Sequence, residues 1–414
     1  MRQIPPPVES YLIKRAVQGP WVINGLDQSP CLACIVIPAL GESESLPHTL
    51  RSLETNPQHL LDQTRVLVVV NNRASAAPHI RHDNQATLRL LESYRHHSTL
   101  RLHWVDASSS GVELPEKQGV GLARKIGMDL SLQGLNWDRH PFIVSLDADT
   151  LVTETYLVAL FDHFSNKQTG AVTIPFRHAP AASPQAEHAI RRYERYLRSY
   201  ALGLAVAGSP YAFISIGSAF ACAALDYARA GGMNRRLAGE DFYFLQQVAK
   251  TSCVTPLNDT RVMPSARISD RVPFGTGRVV DALSADRQKP YTLCAQSSFA
   301  VLQQWLQLVS HCWQVDSDTV RQQAHQLSPM LLELIDSLDF RSVWTRLQCQ
   351  YQTQPDFLRA FHVWFDALRT RQLLTRLNPE ANQDELTLIN DLLLWCGQPS
   401  YTTPHEQLAL LELL

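Results

Sequence analysis

"FIVSLDADTLV", residues 142–152, joins an apolar, β-branched run to two aspartates one residue apart, Asp147 and Asp149. The run from Phe142 to Leu146 is short and nearly unbroken, the pattern of a strand buried on both faces in a parallel sheet between helices. Carboxylates at the carboxyl end of such a strand stand at the edge where open α/β sheets bind ligands. One carboxylate of an Asp-x-Asp step can hold a divalent cation and the other a polar group nearby. Charges this close need a cation, strong donors or a shared proton. The competing reading is a plain turn, with Asp149 or Thr150 capping a helix that starts near Thr153. The rest of the chain has to decide.

Outward from that strand, strands and helices alternate. "CLACIVIPAL" (31–40), "TRVLVVVNN" (64–72) and "LRLHWVDAS" (100–108) read as strands, separated by helical patterns at 43–54 and 84–97. A helix over 119–135 enters through glycines and leads to the strand at 142. Beyond it come a helix at 153–165, a strand at 170–176, an Arg- and Tyr-rich helix at 185–203, a strand at 212–222 and a helix at 239–250. This order predicts an α/β fold with a mixed, mostly parallel sheet between helices. From about residue 291 only helical periodicity remains, with Leu331, Leu334, Ile335 and Leu338 on one stripe and Phe357, Phe361, Trp364 and Leu368 on another. The expected organisation is an N-terminal extension (1–30), an α/β domain (31–290) and a C-terminal all-α region (291–414).

The totals exclude some functions. With 45% hydrophobic and 18% charged residues, the 414-residue chain is globular. A net charge of -2 provides no global field for nucleic acid, so no nucleic-acid partner is expected. Cys31 and Cys34 form a C-x-x-C without a second pair at zinc spacing, and packing explains them better. Scattered cysteines and the lack of a signal-peptide core in "MRQIPPPVES" point to the cytoplasm. From Tyr200 to Leu225 there are 26 residues without a charge, long enough to span a bilayer. Gly208-Ser209-Pro210 interrupts them, which favours a helix end, a turn and a buried strand. Peripheral contact with the inner face of a membrane stays open, as does a homo-oligomer through the apolar final "LALLELL".

Four features could share one rim of the sheet. "IVIPALGE" carries Pro38 and ends on Glu42, just past the strand. "VVVNN" ends on Asn71 and Asn72. "GVGLARKIG" offers Gly121, close backbone approach, and the cations Arg124 and Lys125; it matches neither a dinucleotide fingerprint nor a phosphate-binding P-loop. "GED" sets Glu240 and Asp241 at a helix start, where carboxylates also suit the macrodipole.

Taken together these segments resemble the family 2 glycosyltransferases of the GT-A fold, over roughly residues 31–280. "IVIPALGE" is similar to that family's first strand, "GVGLARKIG" to its glycine-alanine-arginine helix, "SLDADT" to its metal- and nucleotide-binding DxD, and "AGEDFYF" to the acidic pair that holds its catalytic base. The resemblance implies a nucleoside-diphosphate-sugar donor and a glycan, lipid-linked or small-molecule acceptor. It implies Mg²⁺ or Mn²⁺ at Asp149, with Asp147 sharing the metal or approaching the ribose. Asp241, or Glu240 beside it, would take the acceptor's proton, and a single displacement would invert the anomeric centre. Arg124, Lys117, Arg267 and Arg271 are candidate phosphate contacts, guanidinium suiting that work through its bidentate fork. The family's second strand usually ends in aspartates; Asn71-Asn72 here still allow an acceptor for uracil N–H, leaving UDP ahead of GDP.

Two other readings compete. "SLDADTLV" also approaches the DxDx[TV] of haloacid-dehalogenase-like phosphohydrolases, although that strand would open the fold instead of coming fourth. A catalytically inactive sugar-nucleotide-binding protein would also tolerate Asn71-Asn72.

Overall fold

A computed structural model describes residues 4–25, 29–166, 169–267, 283, 291–378 and 384–414. The described chain divides into two compact units, one of residues 1–187 and 215–281, the other of 188–214 and 282–414.

The first unit is built on an eight-stranded mixed sheet in the order β1-β4-β3-β2-β5-β8-β7-β9. Its centre is four parallel strands: β2 (Ala33–Ala39), β3 (Thr64–Asn71), β4 (Arg101–Ala107) and β5 (Phe142–Ser145). Every residue of β2, β3 and β5 is buried, as an uninterrupted apolar run between helix layers requires. β8 (Phe220–Ala223) runs antiparallel to both β5 and β7 (Ala171–Thr173), and β9 (Val254–Pro256) is parallel to β7. The fold class is therefore the expected one. The helices that matter for the site are α2 (Leu46–Glu54), α5 (Val120–Ser131) and α9 (Glu240–Thr251).

Several elements differ from the sequence reading. The leading segment is not a plain extension. Pro6 and Pro7 open helix α1 (Pro6–Lys14), as proline can in a first turn, and β1 (Ile23–Asn24) pairs antiparallel with β4 at the sheet edge. The expected strand over 212–222 shrinks to β8, because the chain turns at Gly217, where the Ala219 amide donates to the Ile216 carbonyl at 3.0 Å. The chain after Asp149 does not enter a helix at once. It makes β6 (Thr150–Val152), paired antiparallel with β10 (Val262–Pro264), before the helix Tyr156–Asn166. Pro78 starts the helix expected at 84 six residues earlier, and it runs Pro78–Tyr94.

The second unit is all-α from residue 296 on: eight helices lie between Gln296 and Leu411 among the described residues, and most of the helix Pro184–Val206 joins them. Its core is aromatic, with Trp305, Phe340, Trp344, Phe357, Phe361 and Phe365 all at most 1% exposed. The stripe of Leu331, Leu334 and Ile335 is buried as expected. Leu368 lies beyond its expected helix, which ends at Trp364, and starts the next one (Ala367–Leu377). In the final "LALLELL", Leu408 and Leu411 are buried, and Leu413 and Leu414 are exposed. No helix of the described residues is long and apolar enough to cross a membrane.

Candidate active site

The parallel strands β2, β3 and β5 all end at one rim, and the acidic residues expected there gather at it with Arg124. β5 delivers Ser145, then Asp147 and Asp149. α5, packed against β2 and β3, brings Arg124 beneath the Asp147 turn. Arg124 is 3% exposed, and each of its three nitrogens has a partner. Nη2 pairs with Asp147 Oδ1 at 2.8 Å, Nε donates to Glu240 Oε1 at 3.0 Å, and Nη1 donates to Ser145 Oγ at 3.1 Å. Burial works against the guanidinium charge, but Asp147 and Glu240 more than offset it, so Arg124 titrates above its ordinary value. One buried cation thus joins the DxD turn to the acidic pair at the start of α9.

Gly239 starts α9 in a left-handed conformation (φ 69°), which glycine adopts without strain. Glu240 is 4% exposed, and its carbonyl accepts from Asn234 Nδ2 at 2.8 Å. Asp241 keeps part of its surface and accepts from the Phe242 amide at 2.7 Å. Its desolvated surroundings, and then the charge of Glu240, push the Asp241 carboxyl up to about 7. A carboxyl poised there is suited to taking and releasing a proton near neutral pH.

A second ion-pair cluster surrounds Asp149. The β6–β10 pairing brings the chain after β10 back to the DxD turn, where the Ser265 amide donates to the Asp149 carbonyl at 3.1 Å. The Arg267 guanidinium pairs with Asp149 Oδ2 at 2.9 Å and with Glu42, and donates to Ser45 Oγ at 3.3 Å. Among the ion-paired carboxylates of the two clusters Asp147 and Asp149 are the open ones, with side chains 34% and 22% exposed, whereas Glu42 and Glu240 are below 10%; Arg267 is 33% exposed.

The remaining candidates lie elsewhere or point inward. Asn71 donates to the carbonyls of Ala39 (3.1 Å) and Val69 (3.2 Å). Asn72 donates to the Ser108 carbonyl at 3.2 Å and accepts from Asn84 Nδ2 at 2.7 Å. Asn84 also accepts from the Gly41 amide at 2.9 Å, so both asparagines are buried in a network that pins the ends of β2 and β3. Pro38 is buried within β2, opposite Val69 of β3. Gly121 is required by protein, not by an approaching ligand: a Cβ there would run into the carbonyls of Arg236 and Asn234. Lys117 is exposed in the turn before α5. Lys125 turns away from the rim and pairs with Asp129 at 2.9 Å. Arg271 lies outside the described residues.

Two residues of the cluster escaped the sequence reading. Ser145 donates from its hydroxyl to the Gly217 carbonyl at 2.6 Å while accepting from Arg124. Its signal was faint but present, a single polar residue in the run Phe142–Leu146. Gly217 had no comparable signal. A Cβ there would overlap the Arg124 guanidinium.

No family model matches the sequence, and no curated protein does. Solved structures that resemble the chain include residues 1–349 of S. aureus TarS in complex with UDP-GlcNAc. That match has 14% identity over 88% of this chain and 92% of that one, with a TM-score of 0.40. A second is the mannosyltransferase PcManGT from Pyrobaculum calidifontis in complex with GDP-Man and Mn²⁺, with 16% identity over 87% and 95% and a TM-score of 0.40. A third is GalNAc-T7 with UDP, GalNAc and Mn²⁺, with 14% identity over 62% and 48% and a TM-score of 0.37.

Proposed function

We propose that the chain is a glycosyltransferase of family 2 type, with a GT-A-like catalytic domain over residues 31–290. It would move a sugar from a nucleoside-diphosphate sugar, UDP ahead of GDP, to an acceptor hydroxyl with inversion. The observation that supports this reading is the Asp147–Arg124–Glu240 bridge, because it joins the DxD turn and the acidic pair in one cluster at the carboxyl rim of a parallel sheet.

Asp149 and Asp147 are the residues that would hold Mg²⁺ or Mn²⁺. With these two side chains the protein would supply two carboxylate ligands. That suits a hard cation that keeps several non-protein ligands. The charge balance also suits one: the carboxyl groups of Glu42, Asp147, Asp149, Glu240 and Asp241 face the guanidinium groups of Arg124 and Arg267. When bound, the ion would neutralise charge on the departing diphosphate. Asp241 would accept the acceptor's proton as its oxygen attacks, Glu240 would be held beside it by Arg124, and Arg267 would meet the phosphates.

The test is a thermal-shift panel of UDP, GDP, CDP and dTDP with and without Mn²⁺, since a ligand that binds only the folded state raises apparent stability. A shift with UDP or GDP that needs the metal supports the proposal. Asp241→Asn should keep that shift and lower transfer by about 10² to 10⁴. No shift with any nucleotide would overturn the reading.

A further inference from the structure

We propose that Arg124, Ser145 and Gly217 form a buried clamp that positions the acidic pair behind the donor site, and that Arg124 is not a phosphate ligand. The inference rests on the glycosyltransferase reading above and adds two positioning residues to it.

The geometry leaves Arg124 little freedom to meet a substrate. Its side chain is 4% exposed, and Nε, Nη1 and Nη2 are engaged by Glu240, Ser145 and Asp147. A phosphate would have to displace Asp147 or Glu240, and stranding the buried Glu240 carboxylate is costly. The Ser145 hydroxyl spends its proton on the Gly217 carbonyl at 2.6 Å, so a lone pair faces the guanidinium. The bond direction is thereby fixed, and Ser145 acts as an acceptor that orients the fork. Gly217 closes the other side, because any side chain there would occupy the space of Nη2.

What the clamp holds is the first turn of α9. Glu240 is fixed through its carboxylate by Arg124 and through its carbonyl by Asn234 at 2.8 Å. Asp241 follows directly in the chain, so its position depends on that double attachment. Asp147, on the other arm of the guanidinium, ties the same cation to the donor side. Misplacing a reacting group by about 1 Å can cost about 10²-fold in rate. Loosening it at Ser145, which leaves the Nη2–Asp147 pair in place, should therefore slow turnover while keeping donor affinity nearly intact.

Ser145→Ala tests this, with Ser145→Cys as a second variant; both leave Arg124 and its pair with Asp147 in place, and each is first checked for cooperative unfolding. Titration calorimetry with UDP and GDP in Mn²⁺ gives nucleotide affinity. Steady-state kinetics with a panel of UDP- and GDP-hexoses, following transfer or slow hydrolysis to water, gives kcat. The expected result is a kcat lower by about 10- to 100-fold, with nucleotide affinity within about threefold of wild type, a change near the 0.6 kcal/mol that RT ln 3 represents. If one of the two variants fails to fold, the other carries the test. Nucleotide affinity falling in step with kcat would make Arg124 a phosphate ligand and overturn the proposal, and so would an unchanged kcat in the folded variants. A wild-type protein that neither binds nucleotide nor turns over any donor would fail earlier, removing the glycosyltransferase reading and this inference with it.

Discussion

At the rim of the sheet unit a buried guanidinium is gripped by two carboxylates and a hydroxyl, whereas the centre of the helical unit is tryptophan and phenylalanine with few polar atoms. Trp305 meets Phe340, Phe361 and Phe365 with ring centroids about 6 Å apart, and Trp344 meets Phe357 edge-on at 4.9 Å. A buried ionic network adds little net stability but is intolerant of a missing partner. An aromatic core stabilises in proportion to the area it hides, and it tolerates gradual loss. Changes in the first region should therefore appear in ligand binding and rate, and changes in the second in stability.

The largest expected effect is at the open end of the ionic cluster. Asp149→Ala should abolish metal-supported nucleotide binding, read as loss of the thermal shift with UDP or GDP and Mn²⁺. Retained binding would detach the DxD turn from donor recognition. In the helical unit, Trp344→Ala should destabilise by about 3–5 kcal/mol. The ring is fully buried, and its Nε1 donates to the Val315 carbonyl at 2.8 Å. Denaturant unfolding measures that loss, and folded W344A should bind nucleotide as wild type does. A W344A protein of normal stability with impaired nucleotide binding would reverse the contrast.

The pH dependence should separate the regions by sign. Asp241 is pushed up to about 7, above its ordinary 3.8. Between those values the folded state holds a proton that the unfolded state has released, so this group's contribution weakens as pH rises toward 7. Asp241→Asn should thus raise the melting temperature at pH 8 and change it little at pH 4. Activity should climb with pH through about 7 as the base loses its proton. In the helical unit, burial lowers His362 to about 4, and its Nδ1 is buried without a hydrogen-bond partner among the described residues. There the unfolded state binds the extra proton between about 4 and 6.5, so stability is lost as pH falls through that window. His362→Gln should flatten the acid limb of the stability profile and leave the alkaline limb alone. The smallest effect is at the last helix, Pro404–Leu411, where Thr403 and Glu406 make a reciprocal capping box. Thr403→Ala should lower the melting temperature by about 2 °C.

The same contrast governs how far the sequence could be read. β2, β3 and β5 were legible because a strand buried on both faces is an apolar run, and the aromatic helices were legible because their stripes repeat every three or four residues. β6, β9 and β10 have three residues each, too few for any period, and β6 and β10 are defined by each other. Asp147, Asp149, Glu240 and Asp241 could be picked out by charge at strand and helix ends. Sequence could not give their partners. Arg124 read as a phosphate contact, and its carboxylate partners follow only from the fold, which brings the end of β5 and the start of α9 to it. The glycines of "GVGLARKIG" suggested room for a ligand, yet at Gly121 the room is taken by the backbone of 234–236.

Helix α1 earns a closer look through Asp129, whose carboxylate accepts from the hydroxyls of Tyr11 and Tyr227, each at 2.6 Å, and from the Val17 amide at 2.7 Å, beside Lys125. Two of those four donors come from the first seventeen residues. A shortened protein starting at residue 18 would keep every strand of the parallel sheet and every acidic residue at its rim. It would nonetheless leave an acid in the interior short of half its donors, on the same helix that presents Arg124. Removing this segment, or crowding it with a bulky fusion tag, is thus a change to the footing of α5 and should be avoided when the protein is prepared for assay.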